Sequence, residues 1–281
     1  MKKLNIKLSI GAVFTLSIAT AIGSSSAYAA TSPTLGAVGS YSVLGHTTVT
    51  NTGPTTMPGD LGISIGGAPV GFPPGSVGPP GTIRNAADSL AAQNADTAAF
   101  GFIDQTCTVD WSGTGLVDLA TKNLVPGVYC ADNFSLTGTL TLNGSTGDVW
   151  IFKSASALTT SGDASVVGGD PCNVWWRVVS SATIGTSTVF TGNILALTSI
   201  SMDTSATLNG RLLAQTGAVT LDSNTITGST CLTTPVYLTS VTPKLPNTGV
   251  QPKVDGSLLI ATSAVALTVA TAFFILKKRS A

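Results

Sequence analysis

Residues 181–228 read SATIGTSTVF TGNILALTSI SMDTSATLNG RLLAQTGAVT LDSNTITG, and three successive segments of this stretch align with a period of 18 residues. Three sets of residues fall in register: Phe190, Leu208 and Ile226; Ser187, Ser205 and Ser223; Gly192, Gly210 and Gly228. A fixed period with an apolar residue and a turn glycine at constant positions is typical of a stacked β-helix. The repeat therefore predicts an all-β solenoid.

Each coil contains a short strand with an apolar residue at its centre. Because successive side chains of a strand point to opposite faces, the central residue points inward and its two neighbours point outward. Stacked coils then form a flat external ladder. The ladder residues predicted in this way are Val189, Thr191, Thr207, Asn209, Thr225 and Thr227, with Thr48, Thr50 and Thr52 as a possible extension.

One helix is predicted, over residues 85–104. Asn85 is a suitable cap, with Asp88 three residues later. The residues Ala87, Leu90, Ala91, Ala95, Ala98 and Phe102 recur at helical spacing. This alanine-rich face suits close packing along a sheet.

The two ends of the chain indicate export and anchoring. Residues 1–29 have a basic start, an apolar run and the small-residue pattern Ala27-Tyr28-Ala29, as in a cleaved secretory signal. Near the other end, Leu245-Pro246-Asn247-Thr248-Gly249 precedes the apolar residues 257–276 and a basic tail. That stretch is long enough to span a bilayer, and a plain membrane anchor is one interpretation.

The order of motif, apolar span and basic tail resembles the cell-wall sorting signal of Gram-positive surface proteins. In such proteins a sortase cleaves between Thr and Gly and joins the Thr to peptidoglycan, which here implies attachment through Thr248. The expected organisation is a signal peptide (1–29), a solenoid domain (30–232), a linker (233–244), the sortase motif (245–249), and a span with its basic tail (250–281) that is removed on anchoring. The expected location is the cell wall.

Charge and composition exclude several functions. Charged residues make up 9% of the chain, and residues 30–248 contain six Lys and Arg against twelve Asp, a net charge of −6. An acidic domain without a basic stripe is a poor candidate for binding nucleic acid. His46 is the one histidine, and no nucleophile motif accompanies it. The Asp residues are scattered at turn-like positions rather than clustered for catalysis or metal binding, so we expect no enzyme, cofactor or metal site.

Four cysteines in an exported chain favour two disulfides. Spacing alone allows three connectivities, and free buried thiols are the alternative. We favour Cys107 with Cys130, closing an irregular loop, and Cys172 with Cys231, tying the end of the solenoid to an earlier coil.

A series of ordered motifs resembles the bacterial and fungal ice-binding proteins of the family once labelled DUF3494, over residues 34–231. The motifs are LG (35–36), YSVL (41–44), TVTNTG (48–53), GDLG (59–62), GFPPG (71–75), LVPGVY (124–129), DVWIF (148–152), CNVWW (172–176), GNILA (192–196), GRLLA (210–214) and GAVTL (217–221). The resemblance implies a discontinuous β-helix of triangular section with one long α-helix packed alongside. It also implies that a flat face of Thr, Ser, Ala and Asn adsorbs to ice, and makes the predicted ladder the candidate site.

A non-catalytic adhesin for a glycan or cell surface, or a structural spacer, is the alternative function. Trp111, Trp150, Trp175 and Trp176 could stack on sugars if they were exposed. Trp150 is expected in the core. Trp175 and Trp176 are adjacent in a predicted strand, so one of them should face outward. Exposed paired aromatic residues would favour the adhesin, and a flat Thr face without them would favour ice.

Overall fold

The fold is described by a computed structural model, which covers residues 29–228 and residue 231. The first part contains five short strands and one helix of 17 residues, preceded by a 3-10 turn at Gly36–Ser40. These elements are β1 (Tyr41–Gly45), β2 (Val49–Thr52), β3 (Thr56–Met57), β4 (Asp60–Ile63), β5 (Ser76–Val77) and α1 (Ala86–Phe102).

The remaining strands follow α1 and are two to five residues long. They are β6 (Val109–Asp110), β7 (Leu116–Asp118), β8 (Asn123–Leu124), β9 (Gly127–Ala131), β10 (Asn133–Leu136), β11 (Thr139–Leu142), β12 (Trp150–Ser154), β13 (Leu158–Thr160), β14 (Ser165–Gly168), β15 (Val174–Val178), β16 (Ala182–Ile184), β17 (Val189–Thr191), β18 (Asn193–Ala196), β19 (Ile200–Met202), β20 (Thr207–Asn209), β21 (Leu212–Ala214), β22 (Val219–Asp222) and β23 (Thr225–Ile226).

Successive strands enter three parallel sheets in turn, which confirms the predicted solenoid. Sheet A has the order β4-β1-β21-β18-β15-β12-β9-β6, sheet B the order β2-β22-β19-β16-β13-β10-β7, and sheet C the order β5-β3-β23-β20-β17-β14-β11-β8. The predicted register of the repeat is confirmed, because Phe190 pairs with Leu208 and Leu208 with Ile226.

The chain does not wind through the solenoid in a single direction. The first coil, β1 to β3, stacks on the last coil, β21 to β23. The helix follows the N-terminal coils, and the chain begins again with β6, β7 and β8 at the opposite edge of the three sheets. The N-terminal coil thereby pairs with the strands of the last coil, which would otherwise be open sheet edges.

The interior of the solenoid is apolar and rich in stacked aromatic rings. Trp111, Tyr129, Phe152, Trp176 and Phe190 form a continuous series with centroid separations of 5.7, 5.4, 4.1 and 4.8 Å. Parallel strands in register place like side chains one above another, so one aromatic residue per coil produces such a stack. Trp150 is also fully buried in this core, as expected.

A second apolar cluster lies between sheet A and α1. The outward side chains of sheet A include Leu44, Ile151, Trp175, Leu195 and Leu213, and all are buried at 1% exposure or less. They pack with the α1 residues Ala92, Ala99 and Phe100. The helix, together with Leu35 and Val38 of the N-terminal segment, therefore covers sheet A.

The bounds and cap of the helix agree with the prediction, but the predicted buried face is wrong. The backbone N–H of Asp88 donates to the Asn85 side chain at 2.9 Å, as in an N-cap. The predicted face is largely exposed, with Leu90 at 47% and Phe102 at 52%. The buried face consists of Ser89, Ala92, Gln93, Asp96, Ala99 and Phe100.

The close approach of helix and sheet explains this difference. A Cβ at Gly62 of β4 would lie 2.3 Å from the Ser89 hydroxyl oxygen. Such contact requires a small side chain at position 89 of the helix. Gln93, on the same buried face, accepts a hydrogen bond from Ser64 at 3.2 Å and donates one to Asp96 at 3.2 Å. Polarity is therefore a poor guide to the buried face of this helix.

Both favoured disulfides are confirmed. Cys107 pairs with Cys130, and Cys172 pairs with Cys231. The first joins the segment after α1 to sheet A. The second joins the end of the solenoid to the connection between β14 and β15, where the chain passes from sheet C to sheet A.

Candidate functional site

Sheets B and C present the polar flat surfaces of the described solenoid. The outward residues of sheet A are buried under the helix, whereas most outward residues of sheets B and C are partly or fully exposed. A surface that recognises a large partner must be reachable by it. Sheets B and C are therefore the candidate binding surfaces.

Sheet B carries a single uninterrupted column of hydroxyl side chains, which we call ladder B. Strand pairing aligns these residues one per coil, and the column ends beside Asp118 of β7. Ladder B comprises Thr50, Thr220, Ser201, Thr183, Thr159 and Ser135. All but Ser135, at 9% exposure, are at least partly exposed.

The backbone pattern of sheet B explains why this column forms. Each strand alternates an inward apolar residue with the ladder residue, as in Ala182-Thr183-Ile184 and Ile200-Ser201-Met202, where the flanking residues are buried. Small residues occur two positions before most ladder members, for example Ser181, Ser199 and Ala218. The ladder is consequently flanked by short side chains, which leave its surface flat.

Sheet C carries a longer column, which we call ladder C. It comprises Ser76, Thr56, Thr225, Thr207, Val189, Ser165 and Thr139. A second row two residues later along the strands includes Asn209, Thr191, Val167, Thr141 and Asn123. Val189 and Val167 interrupt the hydroxyl groups and are 54% and 52% exposed.

The structure divides the predicted ladder between these two sheets. Val189, Thr191, Thr207, Asn209 and Thr225 lie in sheet C, with Thr227 just after β23. Thr50 and Thr52 belong to β2 of sheet B, with Thr48 directly before it. The three N-terminal threonines therefore do not extend the sheet C ladder; Thr50 is instead the first member of ladder B.

The remaining members of ladder B were missed because the repeat is not perfectly regular there. In sheet C the spacing is 18 residues at each step, from Val189 to Thr207 to Thr225. In sheet B the step from Thr183 to Ser201 is 18 residues, but the step from Ser201 to Thr220 is 19. The extra residue lies in the turn before β22, so Ser201 and Thr220 still pair. Short alternating segments such as Leu158-Thr159-Thr160 were the available signal.

Aspartates lie at the corner between sheets B and C, namely Asp163 and Asp203 in turns and Asp222 at the end of β22. Asp118 ends ladder B, where it accepts hydrogen bonds from the backbone and hydroxyl of Thr137. At the helix, Asp104 accepts from Lys153 at 2.6 Å and from Arg177 at 3.3 Å. The Lys153 hydrogen bond is the main reason that the pKa of Asp104 lies below its usual value.

Asp96 is the buried acid of the helix. It is 0% exposed, and burial raises its pKa to about 7, against a smaller opposing effect of the hydrogen bond from Gln93. Its neighbours belong to the contact between α1 and sheet A, so the carboxyl is part of the buried contact and not of an exposed surface.

His46 lies beside Ser64, with 2.8 Å between Nδ1 and the hydroxyl oxygen. The His46 side chain is partly buried. Ser64 is 5% exposed and also donates to Gln93, so the pair belongs to the polar contact under α1. Among residues 29–228 and residue 231, no three His, Cys, Asp or Glu side chains are grouped as metal ligands would be.

A cavity of about 240 Å³ lies near the N-terminal coil, lined by Tyr41, Asp60, Arg84 and Arg211 among others. Its charged groups already have protein partners: Arg84 contacts Asp60 at 2.7 Å, and Arg211 donates to the Asn193 side chain and the Gly39 carbonyl. Burial lowers the pKa of Arg211 to about 10. The hydrogen bond from Arg211 to Gly39 ties the N-terminal segment to the later coils.

The tryptophans do not form an exposed aromatic surface. Trp175 points outward from sheet A, as predicted for one member of the pair. It is nevertheless buried in the apolar cluster between sheet A and α1, and its indole N–H donates to the Ser32 hydroxyl at 3.0 Å. Trp175 and Trp176 are each 1% exposed. Trp111 is partly buried against Tyr129.

Comparison with known proteins agrees with the fold and the motifs. A family model described as Ice-binding-like matches residues 43–227. The chain is 40% identical over 215 residues to a protein named Ice-binding protein from Nostoc sp. (strain HG1), covering 74% of this chain and 78% of that one. It is 31% identical to an Ice-binding protein from Flavobacterium frigoris (strain PS1), covering 69% and 75%.

A solved structure shows the same architecture. The crystal structure of an ice-binding protein from the Antarctic ascomycete Antarctomyces psychrotrophicus superimposes with a TM-score of 0.65 at 38% identity, covering 70% of this chain and 98% of that one. The family match extends over more than half of the chain, and the solenoid with one flanking helix is the architecture expected from the motifs. The chain belongs to the ice-binding-like family.

Proposed function

We propose that this protein adsorbs to ice, and that ladder B on sheet B is its primary contact surface. The observation that carries the proposal is the continuity of ladder B, in which every member from Thr50 to Ser135 bears a hydroxyl group. The relatives named as ice-binding proteins support the choice of ligand.

The spacing of the sheet supplies the physical basis. Neighbouring strands lie about 4.8 Å apart, and residues i and i+2 of one strand lie about 6.7 Å apart. Hydroxyl and methyl groups on this grid can hold water in a regular arrangement that matches a crystal surface. Scattered charges would instead orient water around each ion. The three parallel sheets support the expected triangular section, in which each sheet is one flat side.

Thermal hysteresis and inhibition of ice recrystallisation by the purified protein test the proposal. Thr159→Tyr with Thr183→Tyr places two bulky rings on adjacent strands of ladder B. We expect this pair to lose most of the hysteresis. Ala91→Tyr with Ala98→Tyr, at exposed positions of α1, is the matched control and should behave as the parent protein. An inactive, folded parent would refute ice binding, and equal activity in the two pairs would refute the placement on ladder B.

Anchoring to the cell wall is the second part of the proposal. The motif at Leu245–Gly249 and the apolar residues 257–276 support it, and both lie outside the described residues, as do residues 1–28 and the linker. Within the described residues no helix is long and apolar enough to cross a membrane. The disulfide holds Cys231 to Cys172, which lies on the connection from sheet C to sheet A. The end of the described chain is therefore fixed at the corner between sheets C and A, and not at sheet B. The proposed partners are a sortase, and peptidoglycan joined through Thr248.

Fractionation of a Gram-positive host that produces the protein tests the anchoring. The parent protein should be released from the wall only by an enzyme that digests peptidoglycan. Thr248→Ala removes the proposed acyl donor and should move the protein to the membrane fraction or the medium. A protein that distributes in the same way with and without this change would refute sortase anchoring.

A further inference from the structure

Ladder C forms a second flat surface that shares an edge with ladder B. Its seven aligned residues run from Ser76 to Thr139, one more than ladder B contains. None of them is charged, and none of the residues in the second row of sheet C is charged. An uncharged, regularly spaced face suits an uncharged, regularly spaced partner.

The two valines preserve the shape of this face. Val189 and Val167 have the same branched outline as Thr and differ by a methyl group in place of a hydroxyl. Both are more than half exposed, so they add methyl groups to this face without adding charge. Covering by a solid surface removes these methyl groups from liquid water, so their exposure is consistent with a contact face.

The turn between sheets B and C carries hydroxyl groups at strained positions. Ser187, Ser205 and Ser223 each lie between a sheet B strand and a sheet C strand, and their φ angles are 59°, 63° and 54°. Glycine or asparagine occupies this left-handed region more readily than serine. Ser187 and Ser205 are exposed. Asp163 occupies the same place one coil earlier, with φ 58°, so the corner serines keep hydroxyl groups along three coils of the edge that joins the two ladders.

We propose that sheet C is a second ice-adsorbing face, continuous with ladder B across the corner serines. The inference rests on the proposed ice binding and extends it from one face to two. A protein with two such faces can adsorb to more than one family of crystal planes, or can engage a crystal edge with both faces.

Three matched pairs of substitutions separate the possibilities. The sheet C pair is Thr207→Tyr with Thr225→Tyr, on adjacent strands; the sheet B pair is Thr159→Tyr with Thr183→Tyr; the helix pair is Ala91→Tyr with Ala98→Tyr. Each is compared with the parent for thermal hysteresis and, after fluorescent labelling, for the planes covered on a single-crystal ice hemisphere. Thr207→Lys with Thr225→Lys provides a second sheet C variant if the tyrosine pair does not fold.

We expect the sheet C pair to reduce hysteresis at least threefold and to leave some planes of the hemisphere uncovered. The sheets B and C pairs combined should leave no hysteresis. A sheet C pair that matches the helix pair in both measurements, beside a sheet B pair that is inactive, would overturn the second face and leave the proposed function intact. Loss of activity in the sheet C pair alone would overturn the two-face arrangement and place ice binding on sheet C. An inactive parent would refute ice binding itself.

Discussion

Sheet A and sheet B belong to the same coils, yet their outward side chains serve opposite purposes. In the coil that contains Trp175, the outward residue of sheet A is buried under the helix, and eight residues later Thr183 of sheet B is partly exposed. The preceding coil repeats the change from Ile151 to Thr159. The position of a strand in a coil therefore does not determine whether its outward face is buried or exposed. The outward residue type decides whether a face is covered or remains available.

The largest expected difference between the sheets is in stability. Trp175→Ala removes a fully buried side chain from the contact between sheet A and α1 and should lower the free energy of unfolding by about 3–5 kcal/mol. Thr183→Ala, on the open face of sheet B, should change it by less than about 1 kcal/mol. Urea unfolding followed by circular dichroism measures both. Equal losses would mean that sheet B is also part of the stabilising core.

Asp96 should make the covered side of the molecule sensitive to pH. Its pKa is about 7 when folded and near 3.8 when exposed. The folded state therefore binds the proton more tightly, so the contribution is fully present below about pH 4 and is lost as pH rises through 7. At roughly 1.4 kcal/mol per pKa unit, the change amounts to about 4 kcal/mol.

Unfolding midpoints measured between pH 4 and pH 8 test this expectation. Asp96→Asn keeps the shape of the side chain without the titration, so its stability should depend less steeply on pH. Asp residues with lowered pKa values, such as Asp104, act in the opposite direction at acidic pH, and they are retained in both proteins. Parallel pH profiles for parent and variant would contradict the assignment to Asp96.

The disulfide between Cys107 and Cys130 fastens the segment after α1 to sheet A. The two residues are 23 positions apart, and releasing a loop of this length should cost about 3 kcal/mol in the chain-entropy description. Replacing both residues with Ala should therefore lower the urea midpoint, while the ice activity of the folded protein at low temperature should not change. Loss of ice activity in a variant that still folds would show that the segment fastened to sheet A also helps to maintain the geometry of ladder B.

Much of this architecture could be predicted from sequence because it depends on local rules. The 18-residue register and the Asn85 cap required only spacing and residue type, whereas the choice among the three disulfide connectivities also used the place of each cysteine in the predicted solenoid. The buried face of α1 could not be predicted, because Ser89, Gln93 and Asp96 are buried through contacts with distant residues such as Gly62 and Ser64.

The candidate surface was predicted less completely, for a similar reason. Ladder B aligns Thr50 with Thr220, which are 170 positions apart, and the N-terminal coil closes on the last coil only in three dimensions. The extra residue before Thr220 also hides the alignment of β22 with β19 in the linear repeat. A strict period detects only those columns whose turns all have the same length.

The smallest expected effect concerns the corner serines between sheets B and C. A non-glycine residue in the left-handed region costs about 1–2 kcal/mol, whereas a new glycine loses about 0.5–1 kcal/mol through the greater freedom of the unfolded chain. Ser187→Gly and Ser205→Gly should therefore each raise the free energy of unfolding by no more than about 1.5 kcal/mol. If the corner contacts ice, the same variants should show reduced thermal hysteresis despite equal or greater stability. Unchanged hysteresis would confine adsorption to the flat faces and assign the two serines to the turn alone.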